Sequence, residues 1–420
     1  MIERAIDLIT GLSWPGFVQL FWFFIFLEVP RYILATLTAG WRYSAEIAPP
    51  LVDPRMPVSV LLGGHNEAAG LTATVRGLRE QTHQNIEVVF ADDGSTDNTP
   101  AIARDLQRKG YINRYIRCDI RGGKSSAMNA GLALCSKPTI VTMDVDTSLD
   151  RDAITRIVSR LSEDPTTGAV SGNLGVRNQN ASPWAAFQSL EYLTTISMGR
   201  QFTDLFGILE IVSGAFGAFR RSAIEGVGGW EVGPGEDADI TEKLRRAGWR
   251  INFEPRAWAL TDVPTTRKSL FNQRMRWSRS VIRFRARKFR SVLDPRQRTF
   301  RLRDVVARVN NLFFQVFLSV SFVFYLFYLF IFFGDIAMTV IVAIHLIYIL
   351  SDAFEFLVVS VVLRRPGTLS LLYYVPAFTF YTSYFHRMVR LMAYLSELVF
   401  RKSYEDPYVP AKVRNAADQF

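Results

Sequence analysis

The chain has 420 residues, of which 49% are apolar, and its formal net charge is +10 at pH 7. This length accommodates one large domain and a second part, and the concentration of aromatic residues towards both ends indicates that the second part lies in a membrane. The charge does not indicate a nucleic-acid partner, because Lys and Arg cluster beside apolar segments, in 267–303 and at Arg364 and Arg365, where anionic lipid attracts them.

Residues 1–40 are predicted to form a retained transmembrane anchor. Trp14 to Leu37 is apolar and long enough to cross a hydrocarbon core of about 30 Å. Glu28 and Arg31 share one helical face, and they are expected to pair or to face protein, because a lone charge in lipid is costly. A signal peptide is the alternative, but the leader is not basic and no clear cleavage site follows.

Residues 41–262 are predicted to form a cytosolic α/β domain. From residue 57 onward, apolar β-branched strands alternate with helices, which is typical of a parallel sheet. The cysteines, Cys118 and Cys135, are too few for a disulfide framework and favour a reducing compartment.

Polar side chains follow the predicted strands where these end. They are Asn66 and Glu67, Asp92 and Asp93, and Lys124. In α/β sheets ligands bind beyond the carboxyl ends of the strands, so we expect these side chains to border one site. Each alone also fits a turn or a helix cap. A P-loop is excluded at Lys124, because Cys118 occupies the position that this motif reserves for glycine.

Asp144 and Asp146 follow the apolar run 138–143, which reads as a buried strand. Two carboxylates one residue apart can converge on a divalent cation, and such a cation is most useful against a diphosphate. A solvated strand end is the alternative for this pair taken alone.

Two further segments of the domain each allow two interpretations. Residues 211–221 are small and apolar, and they form either a packed strand or a surface that receives a flat apolar ring. Glu236 and Asp237 begin a predicted helix, where the helix dipole favours acids whatever their role. An acid at that place also suits a general base.

Residues 263–311 are predicted to form amphipathic helices in the membrane interface, because apolar residues recur at helical spacing among arginines. Residues 312–400 are predicted to contain about three transmembrane helices, and 401–420 to form a C-terminal tail. Positive-inside counting places the α/β domain in the cytosol and both termini outside.

The last apolar segment, 369–400, is too polar for lipid. Its polar side chains are His386, Arg387, Arg390 and Glu397. We expect this helix to line a hydrated path, to face protein, or to span the membrane only in part.

Four short motifs occur in order along the chain: Asp92-Asp93, Asp144-Val145-Asp146, Glu236-Asp237 and Gln273-Arg274-Met275-Arg276-Trp277. Together they resemble the D, DxD, ED and QxxRW signature of processive family 2 glycosyltransferases, which include cellulose, hyaluronan, chitin-oligosaccharide and poly-N-acetylglucosamine synthases. The resemblance covers residues 57–290. It implies an α/β GT-A-type domain with a mostly parallel sheet, embedded in an α-helical integral membrane protein with interfacial amphipathic helices.

The resemblance also implies a role for each matching residue. Asp237, beside Glu236, is expected to be the catalytic base, and Asp144 and Asp146 are expected to bind Mg²⁺ or Mn²⁺ together with the donor diphosphate. The expected donor-binding residues are Asn66, Glu67, Asp92, Asp93, Lys124, Asp144, Asp146, Gln273, Arg274, Arg276 and Trp277. The expected acceptor-binding residues are Ser213, Gly214, Phe216, Gly217, Arg220 and Trp277.

The implied function is the inverting, processive polymerisation of a UDP-sugar, glucose or N-acetylglucosamine, into a β-linked product that is translocated across a bacterial-type inner membrane. The implied partners are the UDP-sugar, the growing polysaccharide and the lipid bilayer, while export proteins and self-association are left open. One alternative is a non-processive family 2 enzyme that moves one sugar to a lipid carrier. Another is a membrane protein whose α/β domain only binds its ligand.

Overall fold

The central sheet contains eight strands within the residues that the computed structural model describes, which are 1–44, 50–231, 233, 235–297, 300–403 and 410. The strands are β1 (Val58–Gly64), β2 (Ile86–Asp92), β3 (Arg114–Arg117), β4 (Thr139–Met143), β5 (Ser148–Leu149), β6 (Thr167–Val176), β7 (Phe216–Arg220) and β8 (Arg250–Thr261). Their order across the sheet is β3-β2-β1-β4-β7-β6-β8-β5. Most of the predicted tail 401–420 lies outside the described residues.

The sheet is mixed, and four of its seven strand pairings are parallel. β1 pairs in parallel with β2 and β4, and β2 pairs in parallel with β3. β7 runs antiparallel to its neighbours β4 and β6, while β6 and β8 are parallel to each other. The alternation of strands and helices predicts only the first half of this sheet, because β7 enters it from the opposite direction.

Helices cover both faces of the sheet, and this explains the uninterrupted apolar strands. Val60 and Leu62 of β1 pack in one buried cluster, whereas Leu61, between them, packs in the other. Successive side chains of a strand point to opposite faces, so β1 is buried on both.

The described residues contain sixteen α-helices. They are α1 (Ile2–Gly11), α2 (Trp14–Trp22), α3 (Val29–Ser44), α4 (Leu71–Arg79), α5 (Thr99–Arg108), α6 (Lys124–Leu134), α7 (Ala153–Ser162), α8 (Pro183–Glu191), α9 (Gly199–Leu205), α10 (Arg221–Gly226), α11 (Glu236–Arg246), α12 (Arg267–Ser280), α13 (Leu302–Leu312), α14 (Leu318–Leu363), α15 (Val375–Phe380) and α16 (Arg387–Phe400). Segments of π-helix join several of them, at Phe23–Glu28, Tyr192–Met198, Val281–Lys288, Phe313–Phe317 and Tyr381–His386. Short 3₁₀ helices lie at Arg290–Leu293 and Thr368–Tyr374.

The long helix α14 reverses direction at Gly334, whose φ of 11° and ψ of −86° are not helical. The ring of Tyr384 lies 5.7 Å from that of Phe322 and 5.3 Å from that of His345. In a straight helix Phe322 and His345 would be about 35 Å apart. The two halves of α14 are therefore antiparallel arms of a helical hairpin.

The N-terminal helices pack along this hairpin. The Tyr325 hydroxyl donates to the carbonyl of Leu20 at 2.6 Å, and the Tyr32 hydroxyl donates to Asp352 Oδ1 at 2.8 Å. The chain from α2 to α3 thus runs from the tip of the hairpin, near Gly334, towards its base.

The last helical run, from Thr368 to Phe400, lies across the α/β domain instead of leaving it. Near its start, Arg365 forms an ion pair with Asp150, and at its end Arg287 donates to Glu397 Oε1 at 2.9 Å. Beyond it, Pro410 lies 3.5 Å from the position that a Cβ on Gly123 would take. The prediction of a third C-terminal span is not supported, because both ends of this run contact the α/β domain and its amphipathic helices.

The polar residues that make this run unsuitable for lipid have partners in protein. Arg387 forms an ion pair with Glu28, and the Tyr381 hydroxyl lies 2.7 Å from His386 Nε2. Two helical runs, Trp14–Thr38 and Leu302–Leu363, are long and apolar enough to cross a membrane by length and composition.

Candidate active site

The carboxyl ends of β2, β1 and β4 meet at one edge of the sheet, because the three strands are adjacent and parallel. Gly64 at the end of β1 is in register with Asp92 at the end of β2, and Asp144 follows β4 directly. The predicted ligand edge is therefore a continuous row of polar loops.

Asp92 and Asp93 organise the loops of this edge. Asp92 is fully buried, and its carboxylate accepts from the Ser95 amide at 2.8 Å and from the Tyr115 hydroxyl at 3.1 Å. Asp93 Oδ1 accepts from the amides of Gly122 and Gly123 at 2.8 and 3.0 Å. Burial raises the pKa of Asp93, although these amides oppose the shift. Asp93 thus holds the turn before Lys124, whereas the Asp92 oxygens are already engaged by Ser95 and Tyr115.

Asn66 makes a second link between the strand ends. It adopts a positive φ of 62°, and its side-chain Oδ1 accepts from the Thr96 amide at 2.9 Å. Its own amide donates to Ser95 Oγ at 2.9 Å. Asn66 therefore fixes the β1 loop to the β2 loop.

Lys124, the first residue of α6, lies at the centre of the site. Its Nζ donates to Asp144 Oδ1, lies 3.4 Å from the carbonyl of Gly214 and lies 3.7 Å from Glu236 Oε1. The surrounding carboxylates raise the pKa of Lys124 against the effect of burial, so the side chain is a cation. One ammonium group thus joins the acid after β4 to the acids of α11.

Glu236 and Asp237 open α11 after Gly235, which has a positive φ of 81°. Burial raises the pKa of both carboxyls, and the charge of Lys124 opposes the shift in each. For Asp237 the charge of Arg200 opposes it as well. A carboxylate with a raised pKa at the edge of a polar cleft is suited to accept a proton.

Glu67, Asp144 and Asp146 form an excess of negative charge beside Lys124. Burial, followed by the charges of Asp146 and Asp144, raises the pKa of Glu67 to about 7. Partial burial and the charge of Asp144 also raise the pKa of Asp146. The carboxylates repel one another, and carboxylate oxygens are the ligands that Mg²⁺ and Mn²⁺ prefer, so these residues fit a divalent cation.

No set of three or more His, Cys, Asp or Glu side chains within the described ranges has the geometry to coordinate a metal by itself. Mg²⁺ typically takes one or two protein carboxylates and completes its coordination with substrate phosphates and water.

The helix α12 brings the Gln-x-x-Arg-Trp motif to the start of α11. A Cβ on Gly235 would lie 3.2 Å from Cβ of Ser280, and the Ser280 hydroxyl donates to the carbonyl of Trp277 at 2.7 Å. The guanidinium of Arg274 lies 4.3 Å from the centre of the Trp277 ring, and the residue Trp277 is 44% exposed. Trp277 thus presents an open aromatic face one helical turn from the contact with α11.

Gln273 and Arg276 lie on the same helix. Gln273 Oε1 is buried, and none of the described residues supplies it with a hydrogen-bond partner.

Of the predicted acceptor residues, Ser213 and Gly214 border the site. A Cβ on Gly214 would lie 3.3 Å from Lys124 Nζ, 3.7 Å from Glu236 Oε1 and 3.9 Å from Asp237 Cβ. Ser213, beside it, donates its amide to Ser171 Oγ at 3.2 Å.

The structure does not place Phe216, Gly217 and Arg220 at an acceptor surface. Phe216 is fully buried in the core, and Gly217 is buried beside it in β7. Arg220 pairs with Thr139 at the start of β4, about 13 Å along the strand from the site. Its guanidinium donates to main-chain carbonyls, including that of Thr167 at 3.1 Å. The prediction for these three residues is corrected, because β7 is a buried central strand whose far end carries Arg220.

Arg200 and Glu191 belong to the site environment although the sequence did not single them out. Arg200 donates to Ser171 Oγ at 3.1 Å, and its charge acts on Asp237. Glu191 Oε2 accepts from Arg274 at 2.7 Å. A charged residue at the end of an apolar helix is the only local signal for either, and it does not identify the partner.

Comparisons with known proteins identify a family for part of the chain. Residues 59–228 match the family model for glycosyl transferase family 2. A poly-beta-1,6-N-acetyl-D-glucosamine synthase of Staphylococcus aureus (strain COL) is 29% identical over 290 residues, which cover 68% of this chain and 68% of the relative. The synthase of the same name from Staphylococcus epidermidis (strain ATCC 35984) is 28% identical over 273 residues, which cover 64% and 63% of the two chains.

A solved structure with a similar fold is the mannosyltransferase PcManGT from Pyrobaculum calidifontis, in complex with GDP-Man and Mn²⁺. It superposes with a TM-score of 0.54 at 19% identity, over 95% of this chain and 99% of the other. At this identity the likeness concerns the fold.

The mixed sheet, its row of acids and the matches together define an enzyme of the glycosyltransferase class. More narrowly, the chain carries a glycosyltransferase family 2 domain over residues 59–228. Asp237 and Trp277 lie beyond these matched residues, so their assignment depends on the geometry.

Proposed function

We propose that the chain is a membrane-embedded, inverting, processive glycosyltransferase that polymerises a UDP-sugar into a β-linked polysaccharide and passes the product across the inner membrane. The observation that carries the proposal is the position of Lys124, whose ammonium contacts Asp144 and lies 3.7 Å from Glu236. Asp144, the acid on the proposed donor side, and Glu236, the acid on the proposed acceptor side, are thereby held around one cleft.

On the donor side, Asp144 and Asp146 would hold the cation and Lys124 would bind the diphosphate. When bound, a divalent cation would neutralise charge that develops on the UDP leaving group. Lys124 is fixed at the N-terminus of α6, where its charge and the main-chain N–H groups favour an anion. The unpartnered Gln273 Oε1 and the guanidinium of Arg276 would complete the donor contacts from α12.

On the acceptor side, Asp237 would act as general base. It takes the proton of the acceptor hydroxyl, the acceptor oxygen bonds to the anomeric carbon, and the bond from this carbon to the diphosphate oxygen breaks. A single displacement inverts the anomeric centre, so an α-linked donor gives a β-linked product. Burial raises the pKa of Asp237, which strengthens it as a base, while the charges of Lys124 and Arg200 oppose this shift.

Trp277 would support the terminal sugar of the acceptor. The residue is 44% exposed and lies on the helix that contacts the start of α11. An aromatic face binds the apolar face of a sugar ring without fixing its hydroxyls, which suits a product that must slide after each addition.

The helical part supports a membrane location with three spans. Many large apolar side chains of the hairpin face outward, including Phe324, Phe327, Ile331 and Leu350. The N-terminal helix would cross once and the hairpin twice, which leaves the N-terminus outside and Arg365 on the cytosolic side with the α/β domain. The run 368–400 would lie in the interface, so the C-terminus would also be cytosolic. This replaces the predicted outside location of the C-terminus.

Glucose and N-acetylglucosamine are both compatible with the described residues. The relatives named poly-beta-1,6-N-acetyl-D-glucosamine synthase favour N-acetylglucosamine as the first donor to test.

The test is incubation of the purified full-length protein with labelled UDP-sugars and a divalent cation, followed by phase separation and linkage analysis. The proposal predicts UDP release together with β-linked saccharide chains in the aqueous phase. A single sugar recovered only in the lipid phase would favour the non-processive alternative. No UDP release with any donor would contradict both.

A further inference from the structure

Glu191 lies at a junction between three helical elements. It ends α8, it contacts Arg274 of α12, and it contacts Tyr381 in the last helical run. The side chain is 13% exposed, and that of Arg274 is 7% exposed.

The contacts of this junction are specific. Glu191 Oε2 accepts from Arg274 NH2 at 2.7 Å and from the Tyr381 hydroxyl at 3.1 Å. His386 Nε2 lies 3.5 Å from the same oxygen and 2.7 Å from the Tyr381 hydroxyl. One carboxylate oxygen of Glu191 is therefore contacted by side chains of α12 and of the last helical run.

Arg274 carries this constraint to Trp277. Its guanidinium lies 4.3 Å from the centre of the Trp277 ring, within the range of a cation–π interaction. Because Glu191 fixes one edge of the guanidinium, the planar group has one favoured orientation, and the ring that stacks on it is fixed as well. One face of Trp277 is then occupied by Arg274.

We infer that Glu191 is a positioning residue that orients the Trp277 ring, through Arg274, for the acceptor sugar. This inference depends on the proposed function, since it presupposes that Trp277 meets a saccharide. Tyr381 adds to it: its hydroxyl links the same carboxylate to the last helical run, so a shift of that run would change the orientation of the acceptor platform.

A positioning role and a purely structural role of Glu191 predict different effects on the kinetic constants. If Glu191 only neutralised a buried arginine, its loss would lower the amount of folded enzyme and leave the kinetic constants of the rest unchanged. If it orients Trp277, the KM for acceptor rises and donor is lost to water, while the KM for donor is unaffected.

The experiment measures both KM values and the ratio of transfer to hydrolysis, using purified full-length protein, the active UDP-sugar and a short oligosaccharide of the same sugar as acceptor. For Glu191→Gln we expect the acceptor KM to rise about tenfold, since the ion pair with Arg274 is replaced by a weaker hydrogen bond from the guanidinium to a neutral amide. The donor KM should stay within about twofold, and Glu191→Asp should recover part of the loss.

The matched control is Glu225→Gln, which removes a carboxylate that accepts from Arg221 at 2.7 Å on the surface. It should leave both constants unchanged. Tyr381→Phe keeps the ring and removes the hydroxyl, so it should raise the acceptor KM by about threefold even if Glu191→Gln does not fold.

Two results would overturn the inference: an acceptor KM within about twofold of the wild type in the folded variants, or an equal rise of both KM values. Either result, with an active wild-type enzyme, leaves the proposed function intact. If the wild type transfers no sugar from any nucleotide donor, the proposed function fails and the inference fails with it.

Discussion

At the scale of single residues, Lys124 and Gly214 determine the width of the cleft. The carbonyl of Gly214 lies 3.4 Å from Lys124 Nζ, and there is no side chain between this position and the acids of α11. The site therefore depends on a residue without a Cβ where donor-side and acceptor-side groups approach each other.

Gly214→Ala should lower kcat/KM about tenfold without preventing folding. The added Cβ would lie 3.3 Å from Lys124 Nζ, so the flexible lysine can move away, but it leaves the position in which it contacts Asp144. The control is Gly77→Ala in α4, where nothing lies within 4 Å of the new Cβ. Equal activity of the two variants in a UDP-release assay would contradict this use of Gly214.

Glu67 gives a prediction about pH. Its pKa is raised from an ordinary value of 4.5 to about 7, by burial first and then by Asp146 and Asp144. Between these pH values the folded state binds more protons than the unfolded state, so stability falls as pH rises through this window. The melting temperatures of the wild type and of Glu67→Gln are measured in EDTA. The melting temperature of the wild type minus that of Glu67→Gln should decrease as the pH rises from about 5 to about 8.

The control for this measurement is Glu80→Gln at the exposed end of α4, which should give a constant difference across the same range. Addition of Mg²⁺ should reduce the pH-dependent difference in the Glu67 comparison, because a cation near Asp144 and Asp146 offsets their repulsion. Parallel melting curves for the wild type and Glu67→Gln would show that the carboxyl does not titrate in this window.

At the scale of elements, α11 is tied to the helix that leads into the hairpin. Arg245 of α11 donates to Asp304 Oδ1 of α13 at 2.7 Å, and the two side chains are 3% and 4% exposed. Arg245 also donates to the carbonyl of Leu209 at 2.8 Å, shortly before Ser213. A single buried arginine thus aligns the helix of the catalytic acids with the acceptor loop.

Arg245→Met should lower the free energy of unfolding by about 3–5 kcal/mol, because the buried Asp304 loses its hydrogen-bonded partner and retains the more distant, partly exposed Arg303 at 3.8 Å. Denaturant unfolding of the purified protein measures this loss. Arg108→Met is the matched control, since its ion pair with Asp105 is exposed and should contribute less than about 1 kcal/mol. Similar losses for the two variants would mean that the buried pair does not stabilise this contact.

The elements could be predicted from the sequence only where their residues carry a local pattern. β1, β2 and β4 are apolar runs followed by acids, and the resemblance identified the Gln-x-x-Arg-Trp segment that forms α12. β6 was not predicted from the sequence, because its small and polar residues, all buried, show neither alternation nor a β-branched run. β8 was not predicted either, because Glu254, Pro255 and Arg256 interrupt its sequence pattern at an irregularity in its pairing with β6.

The site was predictable to a similar extent. Lys124, Asp144, Glu236 and Asp237 converge, since each stands at a strand end or a helix start that faces the same edge. Arg220 was misassigned because sequence alternation does not tell which end of a strand faces the site. Glu191 was missed because its partner, Arg274, is remote in sequence and only packing brings them together.

At the scale of the whole molecule, the α/β domain packs against the helices of the run 368–400. Arg365, just before the run 368–400, forms an ion pair with Asp150 of this domain, and Glu397 near the end of the run forms one with Arg287 of the amphipathic segment. The N-terminal helical run is joined to the run 368–400 by the ion pair between Glu28 and Arg387. Polar residues in apolar segments count against membrane insertion when hydropathy alone is considered. In this structure such residues form the contacts between the α/β domain and the helical part of the molecule.

The two termini should lie on opposite sides of the membrane. A protease site or reporter fused after residue 420 should be reached from the cytosolic side only, because Pro410 lies beside the turn at Gly123, 3.5 Å from the position that a Cβ there would take. A fusion before Met1 should be reached from the outside only, and a site at Gly334 provides a control for the outer side. Access to the C-terminal fusion from outside would mean that the run 368–400 crosses the bilayer.

The central claim is that donor binding and proton removal are assigned to different carboxylates of one cleft. The most direct measurement compares donor affinity and UDP release for the wild type, Asp237→Asn and Asp146→Asn in the same preparation with Mg²⁺. We predict that Asp237→Asn lowers UDP release by about a hundredfold or more and keeps its donor dissociation constant within about twofold, while Asp146→Asn weakens donor binding itself. Loss of donor binding in Asp237→Asn, or undiminished UDP release from it, would contradict the account.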